Sequence, residues 1–221
     1  MSTITEKTPL KILVDTYPLA SMVLLKHGLD FCCGGHDSLA EACEASEVDL
    51  DQVLHELKPS MAAPPERPWS SAPIEELIAH ILDAYHAPLP EMLSHIEVLV
   101  SRVAETHGHK DPKRLGALKD TVFSLSRDLV EHMMKEEQIL FPWILSNHEP
   151  VPMAPFQVML MEHDRVGQYL KQIEDLTDNF QTPNGACPTW RSLYAGLQNL
   201  NKELRTHIHL ENNILFPRAA Q

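Results

Sequence analysis

The sequence has no surplus of positive charge. It contains 18 Lys and Arg against 31 Asp and Glu, which gives a net charge of −13 at pH 7. Binding to the phosphate backbone of DNA or RNA needs clustered lysines and arginines, and no basic stripe offsets the acidity. We therefore expect no nucleic-acid partner.

Long apolar runs and a disulfide framework are also missing. No apolar run approaches the roughly 20 residues that span a bilayer. The start, MSTITEKTPLK, lacks the apolar stretch of a secretory signal. The four cysteines (Cys32, Cys33, Cys43 and Cys187) show no spacing typical of a disulfide-stapled protein, which fits a reducing compartment. The sequence predicts no membrane association and a cytoplasmic location.

No run of alternating apolar and polar residues bounded by turn signals suggests a β-strand. With 43% hydrophobic residues, the chain is expected to be globular and all-α. We predict a small helical domain with a cysteine pair at residues 1–57, a Pro-rich linker at 58–72 that is extended or turn-like, and a four-helix bundle at 73–221.

Helix boundaries follow from caps and prolines. In the small domain, Pro18 opens a helix that stops at Gly28, and Ser38 caps the next one, which is followed by a helix at about 49–57. In the bundle, Asp111 caps the second helix. The four long helices are predicted at 73–106, from Pro112 to before Glu149-Pro150, at about 155–178, and at about 188–216.

An eleven-residue pattern occurs twice, as HMMKEEQILFP at 132–142 and as HIHLENNILFP at 207–217. In each copy a His precedes a Glu by four residues, which places both side chains on one face of a helix. That face is otherwise apolar. The second helix carries the stripe Leu115, Leu118, Val122, Leu125, Leu129, His132, Glu136 and Ile139, and the fourth carries Leu193, Leu197, Leu200, Leu204, His207, Glu211 and Ile214.

Carboxylates at core positions indicate a metal. A buried, unpaired carboxylate is costly, and bound cations neutralise it. His86 on the first helix and His163 on the third also lie in apolar stripes, so two similar hairpins would supply four His and two Glu. Six ligands suit two metals bridged by carboxylates better than one tetrahedral zinc, and nitrogen-rich ligation favours iron over magnesium or calcium. Manganese and zinc remain open by composition.

Simpler interpretations exist for each residue alone. A single His on an apolar face is more often a packed core residue, and a single His-x3-Glu is usually an exposed pair. Two copies embedded in core stripes favour the metal. The other nine histidines are expected to be surface or capping groups, and His209 is expected to face away from His207. Pro88 and Pro90 predict a kink that would tilt His86.

Cys32 and Cys33 are adjacent, with Cα atoms about 3.8 Å apart, less than the roughly 4.4 Å minimum for most disulfides. A stable disulfide between them is not expected. Because two glycines follow, the thiols are expected either to reach a metal or a partner thiol, or to be two ordinary cysteines at a helix end. Cys43 and Cys187 look incidental.

Taken together, the order of DFCCGG, WSSAP, YH, HMMKEEQILFP, MEHD and LENNILFPR resembles the Repair of Iron Centres family of the ScdA/YtfE type over nearly the whole chain. The resemblance implies a hemerythrin-like antiparallel bundle with a non-haem di-iron centre, which has an oxo or hydroxo bridge. It implies that His86, His132, His163 and His207 are terminal ligands and that Glu136 and Glu211 are bridges. It also implies that Glu162 lines an access path and that Cys32 and Cys33 are the family's cysteine pair.

The function implied is the repair of iron–sulfur clusters damaged by nitric oxide or peroxide, by supplying iron, with damaged cluster proteins or cluster assembly proteins as partners. A first alternative is a nitric oxide or peroxide reductase at the di-iron centre. A second is a hemerythrin-like binder or sensor of O2 or nitric oxide, and a purely structural bundle is a third. A homodimer is compatible with the sequence.

Overall fold

The computed structural model describes residues 4–61, 68–146 and 153–221. The chain is all-α, as predicted, and 77% of these described residues are helical. The described residues form no strand, only an isolated bridge between Pro9 and Ser38. None of the helices in these ranges has both the length and the apolarity that crossing a membrane requires. Two compact units are present, one of Met1–Ala79 with Arg205–Gln221, the other of His80–Leu204.

The first unit contains short helices whose ends are set by local sequence. Ser38 and Glu41 form a capping box, each side chain bonding the other's backbone N–H. Gly28 follows the helix α2 (Ala20–Lys26) with a φ of +67°, a conformation that favours glycine. Both predicted signals are confirmed. The helices of this unit are α1 (Leu10–Thr16), α2 (Ala20–Lys26), α3 (Leu39–Ala45), α4 (Leu50–Met61), most of α5 (Ile74–Ile81) and, near the carboxyl terminus, α11 (Phe216–Ala219).

The helix predicted to end near residue 57 continues to Met61 and contains Pro59. Pro59 lies in the last turn, where its missing N–H removes one hydrogen bond without interrupting a longer helix. The first part of the predicted linker at 58–72 is therefore helical. Residues 62–67 lie outside the described residues, and Trp69–Ser71 form a single 3-10 turn.

The second unit is a four-helix bundle. The helix α7 (Pro112–Lys135) packs against α6 (Leu89–His107) and α9 (Met153–Leu176). On the opposite side, Gly196 of α10 lies against Ile96 of α6, and Asn201 donates a 3.0 Å hydrogen bond to Glu174 of α9. The helices are α6 (Leu89–His107), α7 (Pro112–Lys135), α8 (Phe141–Leu145), α9 (Met153–Leu176) and α10 (Pro188–Leu210), whose last residues belong to the first unit.

The predicted boundaries of the bundle helices hold to within a few residues where they are described. Asp111 caps α7 by accepting a 3.1 Å hydrogen bond from the backbone N–H of Arg114, as predicted. The predicted stop before Glu149-Pro150 lies outside the described residues.

The apolar stripes are buried as predicted, with one exception on the second helix. Ile139 is 63% exposed, and Leu140 takes its place in the core. The cause is a wider helical turn at Glu136–Leu140, a π-helix. This turn holds more than the usual 3.6 residues, which brings Leu140 onto the core face. In the equivalent turn Glu211–Leu215 of the fourth helix, both Ile214 and Leu215 are buried.

Candidate metal centre

Three π-helical turns mark the segments that carry candidate ligands. In each one, the residue after the turn donates its N–H to the carbonyl five residues earlier, and a proline follows that residue. Proline has no N–H and collides with the carbonyl four residues before it, and the wider turn relieves this collision. The turns are Leu82–His86, Glu136–Leu140 and Glu211–Leu215, and the prolines are Pro88, Pro142 and Pro217.

The prolines therefore have a different effect from the one expected for Pro88 and Pro90. The chain forms a π turn that ends at His86, whose side chain is buried with Nε2 3.5 Å from Oε2 of Glu136 rather than tilted away. The repeated Leu-Phe-Pro has the same explanation, since each copy places a π turn that begins at the Glu. Sequence reasoning missed this, although a proline six residues after the start of the turn was the available signal.

In the second unit, the carboxylate of Glu136 is surrounded by imidazoles. Glu136 is 0% exposed. Its Oε2 atom lies 3.5 Å from Nε2 of His86 and 3.3 Å from Nε2 of His132. The Nε2 atom of His163, from α9, lies 2.9 Å from Nε2 of His132. Four predicted ligands thus meet in the bundle core, three of them with ligand atoms within 4.8 Å of one another.

Two further acids fix the orientation of these imidazoles. Nδ1 of His132 donates to Glu162 and Nδ1 of His86 donates to Glu137, both at 2.9 Å. The hydrogen bond from His132, together with Lys135, lowers the pKa of Glu162 to about 2. An ionised carboxylate only accepts, so each ring carries a proton on Nδ1, and in the neutral ring the lone pair is then on Nε2, the atom next to Glu136.

The resemblance predicted that Glu162 lines an access path. In the structure, its carboxylate accepts hydrogen bonds from the predicted ligand His132 and from Lys135. Glu137 was missed. Its only signal in the sequence was its position beside Glu136 in the segment KEEQ.

In the first unit, the second copy of the pattern has the same local geometry. Nε2 of His207 lies 3.0 Å from Oε1 of Glu211, and Glu211 is 0% exposed. His209 faces away from this pair, as predicted, but it is not a surface group. It is 1% exposed, packs edge-on against Phe31, and has Nδ1 3.4 Å from the carbonyl oxygen of Phe31. That prediction was wrong because Phe31 is distant in sequence and covers the ring.

The cysteine pair lies in a turn of the first unit. All four cysteines are free. Oδ1 of Asp30 accepts hydrogen bonds from the backbone N–H of Cys32 at 3.0 Å and of Cys33 at 3.1 Å. A Cβ atom on Gly35 would lie 2.6 Å from the carbonyl oxygen of Phe31 and 2.8 Å from Asn213, so this close approach requires glycine.

The donor set fits iron. Three neutral imidazoles and one carboxylate are ligands for first-row transition metals, whereas magnesium and calcium prefer all-oxygen sites. Without a cation, an ionised Glu136 in this core would be costly. The described residues therefore support the metal interpretation over a purely structural bundle.

Removing the carboxylate of Glu162 or Glu137 is expected to weaken iron binding. Loss of such a partner of a metal-ligating His typically lowers affinity by about 10–100-fold. We expect this for Glu162→Ala and Glu137→Ala, and a smaller loss for Glu162→Gln, whose amide oxygen still accepts one hydrogen bond. Competition with a ferrous chelator measures the affinity. Glu131→Ala, an exposed position on α7, is the control. Wild-type affinity in both Ala variants would contradict the assignment.

Comparison with known proteins finds matches to both parts of the chain. Residues 77–219 match the family described as hemerythrin HHE cation binding domain, and residues 7–60 match a domain of unknown function, DUF542. The chain is 41% identical over 211 residues to the iron–sulfur cluster repair protein YtfE of Escherichia coli O81 (strain ED1a), with 96% of each chain covered. The proteins of the same name from Escherichia coli O1:K1 and from Escherichia fergusonii are 40% identical over the same length and coverage.

Proposed function

This chain belongs to the hemerythrin HHE cation-binding family, with the iron–sulfur cluster repair proteins of the YtfE type among its relatives, and we propose that it repairs iron–sulfur clusters damaged by nitrosative or oxidative stress by supplying iron. The observation that carries this proposal is the fully buried Glu136 with the Nε2 atoms of two imidazoles within 3.5 Å of it. Damaged iron–sulfur proteins or cluster assembly proteins in the cytoplasm are the targets that we propose.

We assign a di-iron centre to the six predicted ligands. In this centre His86, His132, His163 and His207 would be the terminal ligands, Glu136 and Glu211 would be the bridging ligands, and an oxo or hydroxo group would complete the bridge. This assignment is supported by the two His-x3-Glu pairs, since each has a fully buried carboxylate and each carboxylate opens a π turn. When bound, iron supplies Lewis acidity and one-electron redox chemistry.

The protein's own residues hold the ligands ready and keep water out. Glu137 and Glu162 keep the Nδ1 protons of His86 and His132 in place, so that their Nε2 atoms stay available. Leu129 of α7 and Val166 of α9 are buried apolar neighbours of the ligands, one turn from His132 and His163 in sequence. Iron as the delivered substrate suits this ligand set, because carboxylates hold it less firmly than the softer thiolates do.

We propose the same domain organisation as the sequence predicts, with 1–57 as the cysteine-pair domain, 58–72 as a linker that begins with the last turn of α4, and 73–221 as the bundle. The matched regions at 7–60 and 77–219 support it, because the stretch between them contains the Pro-rich segment.

The proposal is tested by adding the iron-loaded protein to a nitric-oxide-damaged enzyme that depends on a [4Fe–4S] cluster. We expect enzyme activity to return faster than with the same concentration of free ferrous salt. The iron-free protein plus that salt is the control. Equal rates with protein-bound and free iron would refute the iron-donor role. Steady production of nitrous oxide with an electron donor would favour a reductase instead, and a stable, reversible O2 adduct would favour a binder.

A further inference from the structure

The turn at residues 30–33 brings together three metal-binding atoms, none of which belongs to the histidine and glutamate ligands. Sγ of Cys32 lies 3.0 Å from Oδ1 of Asp30 and 3.9 Å from Sγ of Cys33. The ligand atoms of all three residues lie within 4.8 Å of one another. We propose that Asp30, Cys32 and Cys33 form a separate site for one thiophilic divalent cation, of the class of ferrous iron or zinc.

The spacing of the two sulfur atoms fits a single tetrahedral ion. Metal–sulfur bonds of about 2.3 Å at a tetrahedral angle place two sulfurs about 3.8 Å apart. The observed 3.9 Å therefore needs almost no adjustment. The distance from Sγ of Cys32 to Asp30 is that of a hydrogen bond, and it would lengthen by about half an ångström on coordination, within reach of the exposed Asp30 side chain.

The backbone holds the two cysteines in this arrangement before any ion arrives. Oδ1 of Asp30 accepts from both cysteine N–H groups. Asn213 donates a 3.0 Å hydrogen bond to the carbonyl oxygen of Cys32, and Nδ2 of Asn212 lies 3.9 Å from Sγ of Cys33. Little conformational entropy remains to be lost on binding, which favours affinity.

The charges around the turn suit a divalent ion. Two thiolates and one carboxylate carry three negative charges. Nη1 of Arg205 lies 3.9 Å from Oδ1 of Asp30 and 4.0 Å from Sγ of Cys32, and its positive charge offsets one of them. The remaining two match a divalent cation. Because Asp30 is exposed and Cys33 is half-buried, an ion has a path to the site, whose fourth position is left for water or for a ligand from another protein.

Binding is coupled to proton release. Hydrogen bonding with Cys33, burial and the charge of Asp30 raise the pKa of Cys32, so its thiol is protonated in the metal-free protein at neutral pH. The ion displaces one proton from each thiol, forms two metal–sulfur bonds and leaves both protons in solution. No electron is transferred. The site does not depend on the proposed role of the histidine and glutamate ligands.

The test uses cobalt(II) added to the full-length, reduced and iron-loaded protein. Thiolate ligation gives a sulfur-to-cobalt charge-transfer band, which histidine and carboxylate ligands do not produce. We expect a band that saturates at one cobalt per chain and that is abolished in Cys32→Ser and in Cys33→Ser. Asp30→Asn should weaken cobalt binding at least about tenfold. That is the lower end of the loss seen when a residue that only hydrogen-bonds to a metal ligand is removed. Cys43→Ala, the remaining cysteine of this unit, should keep the full band.

Retained iron content in each variant shows that it has folded. Asp30→Asn keeps both thiols and lies at the surface, so it remains informative if a cysteine variant does not fold. A second measurement is the rate at which iodoacetamide alkylates Cys33, which zinc should lower at least about tenfold. The proposal is overturned if the wild-type protein shows no charge-transfer band, if the band persists in Cys32→Ser, or if zinc leaves alkylation unchanged.

Discussion

The Glu136→Leu variant is expected to lose iron binding while its metal-free form becomes more stable than the metal-free wild-type protein. Glu136 is fully buried in a stripe whose preceding members include Leu125 and Leu129. His86 and His132 can both be neutral, so leucine leaves no uncompensated charge behind. Replacing buried charged groups by apolar ones of similar volume is often neutral or stabilising by about 1–4 kcal/mol.

Iron affinity should fall by more than about 100-fold in this variant, because a direct ligand is removed. Losing only the hydrogen-bond partner of a metal-ligating His typically costs about 10–100-fold. Metal analysis after anaerobic loading and thermal unfolding with and without a chelator measure the two effects. Glu131→Leu is the matched control, since it makes the same change at an exposed position on the same helix and should keep the iron. A metal-free Glu136→Leu protein that melts below metal-free wild type would contradict this account, as would full iron loading.

The features predicted correctly from the sequence are local ones. The His-x3-Glu pairs were visible because they occupy leucine positions in a periodic stripe, and a stripe is read from the neighbours within one helix. The caps at Ser38 and Asp111 were visible because a cap depends on a side chain and the N–H three residues later. Four of the predicted ligands, His86, His132, Glu136 and His163, come together in the second unit.

The features that were missed depend on contacts between distant residues. Glu162 and His132 are on different helices, so their hydrogen bond has no sequence signal beyond the presence of both residues. His209 is buried by Phe31, which lies 178 positions away. Neither contact follows from periodicity, because periodicity gives the face of a helix and not what covers that face.

The prediction that Ile139 is buried failed for a different reason, and the same reason predicts a large effect of replacing Pro142. The α-helical period was extended through a π turn that Pro142 stabilises. The Pro142→Ala variant supplies the missing N–H and removes the collision, and a proline inside an α-helix costs about 3 kcal/mol relative to alanine. We therefore expect the turn at Glu136–Leu140 to close into a regular α-helix.

Closing that turn is expected to weaken iron binding at least about tenfold, the size of effect seen when a ligand is held in the wrong orientation. Closing the turn rotates the chain after it by about 100° relative to the chain before it. The face with His132 and Glu136 and the face with Phe141 and Ile144, all buried now, therefore cannot both stay in the core. Pro217→Ala should act in the same way at Glu211. Pro188→Ala, at the first position of α10 where proline costs nothing, should leave iron binding unchanged. Wild-type iron affinity in Pro142→Ala would refute the coupling between this proline and the ligand. A crystal structure of the variant in which Phe141 still donates to the carbonyl of Glu136 would refute the proline's part in forming the turn.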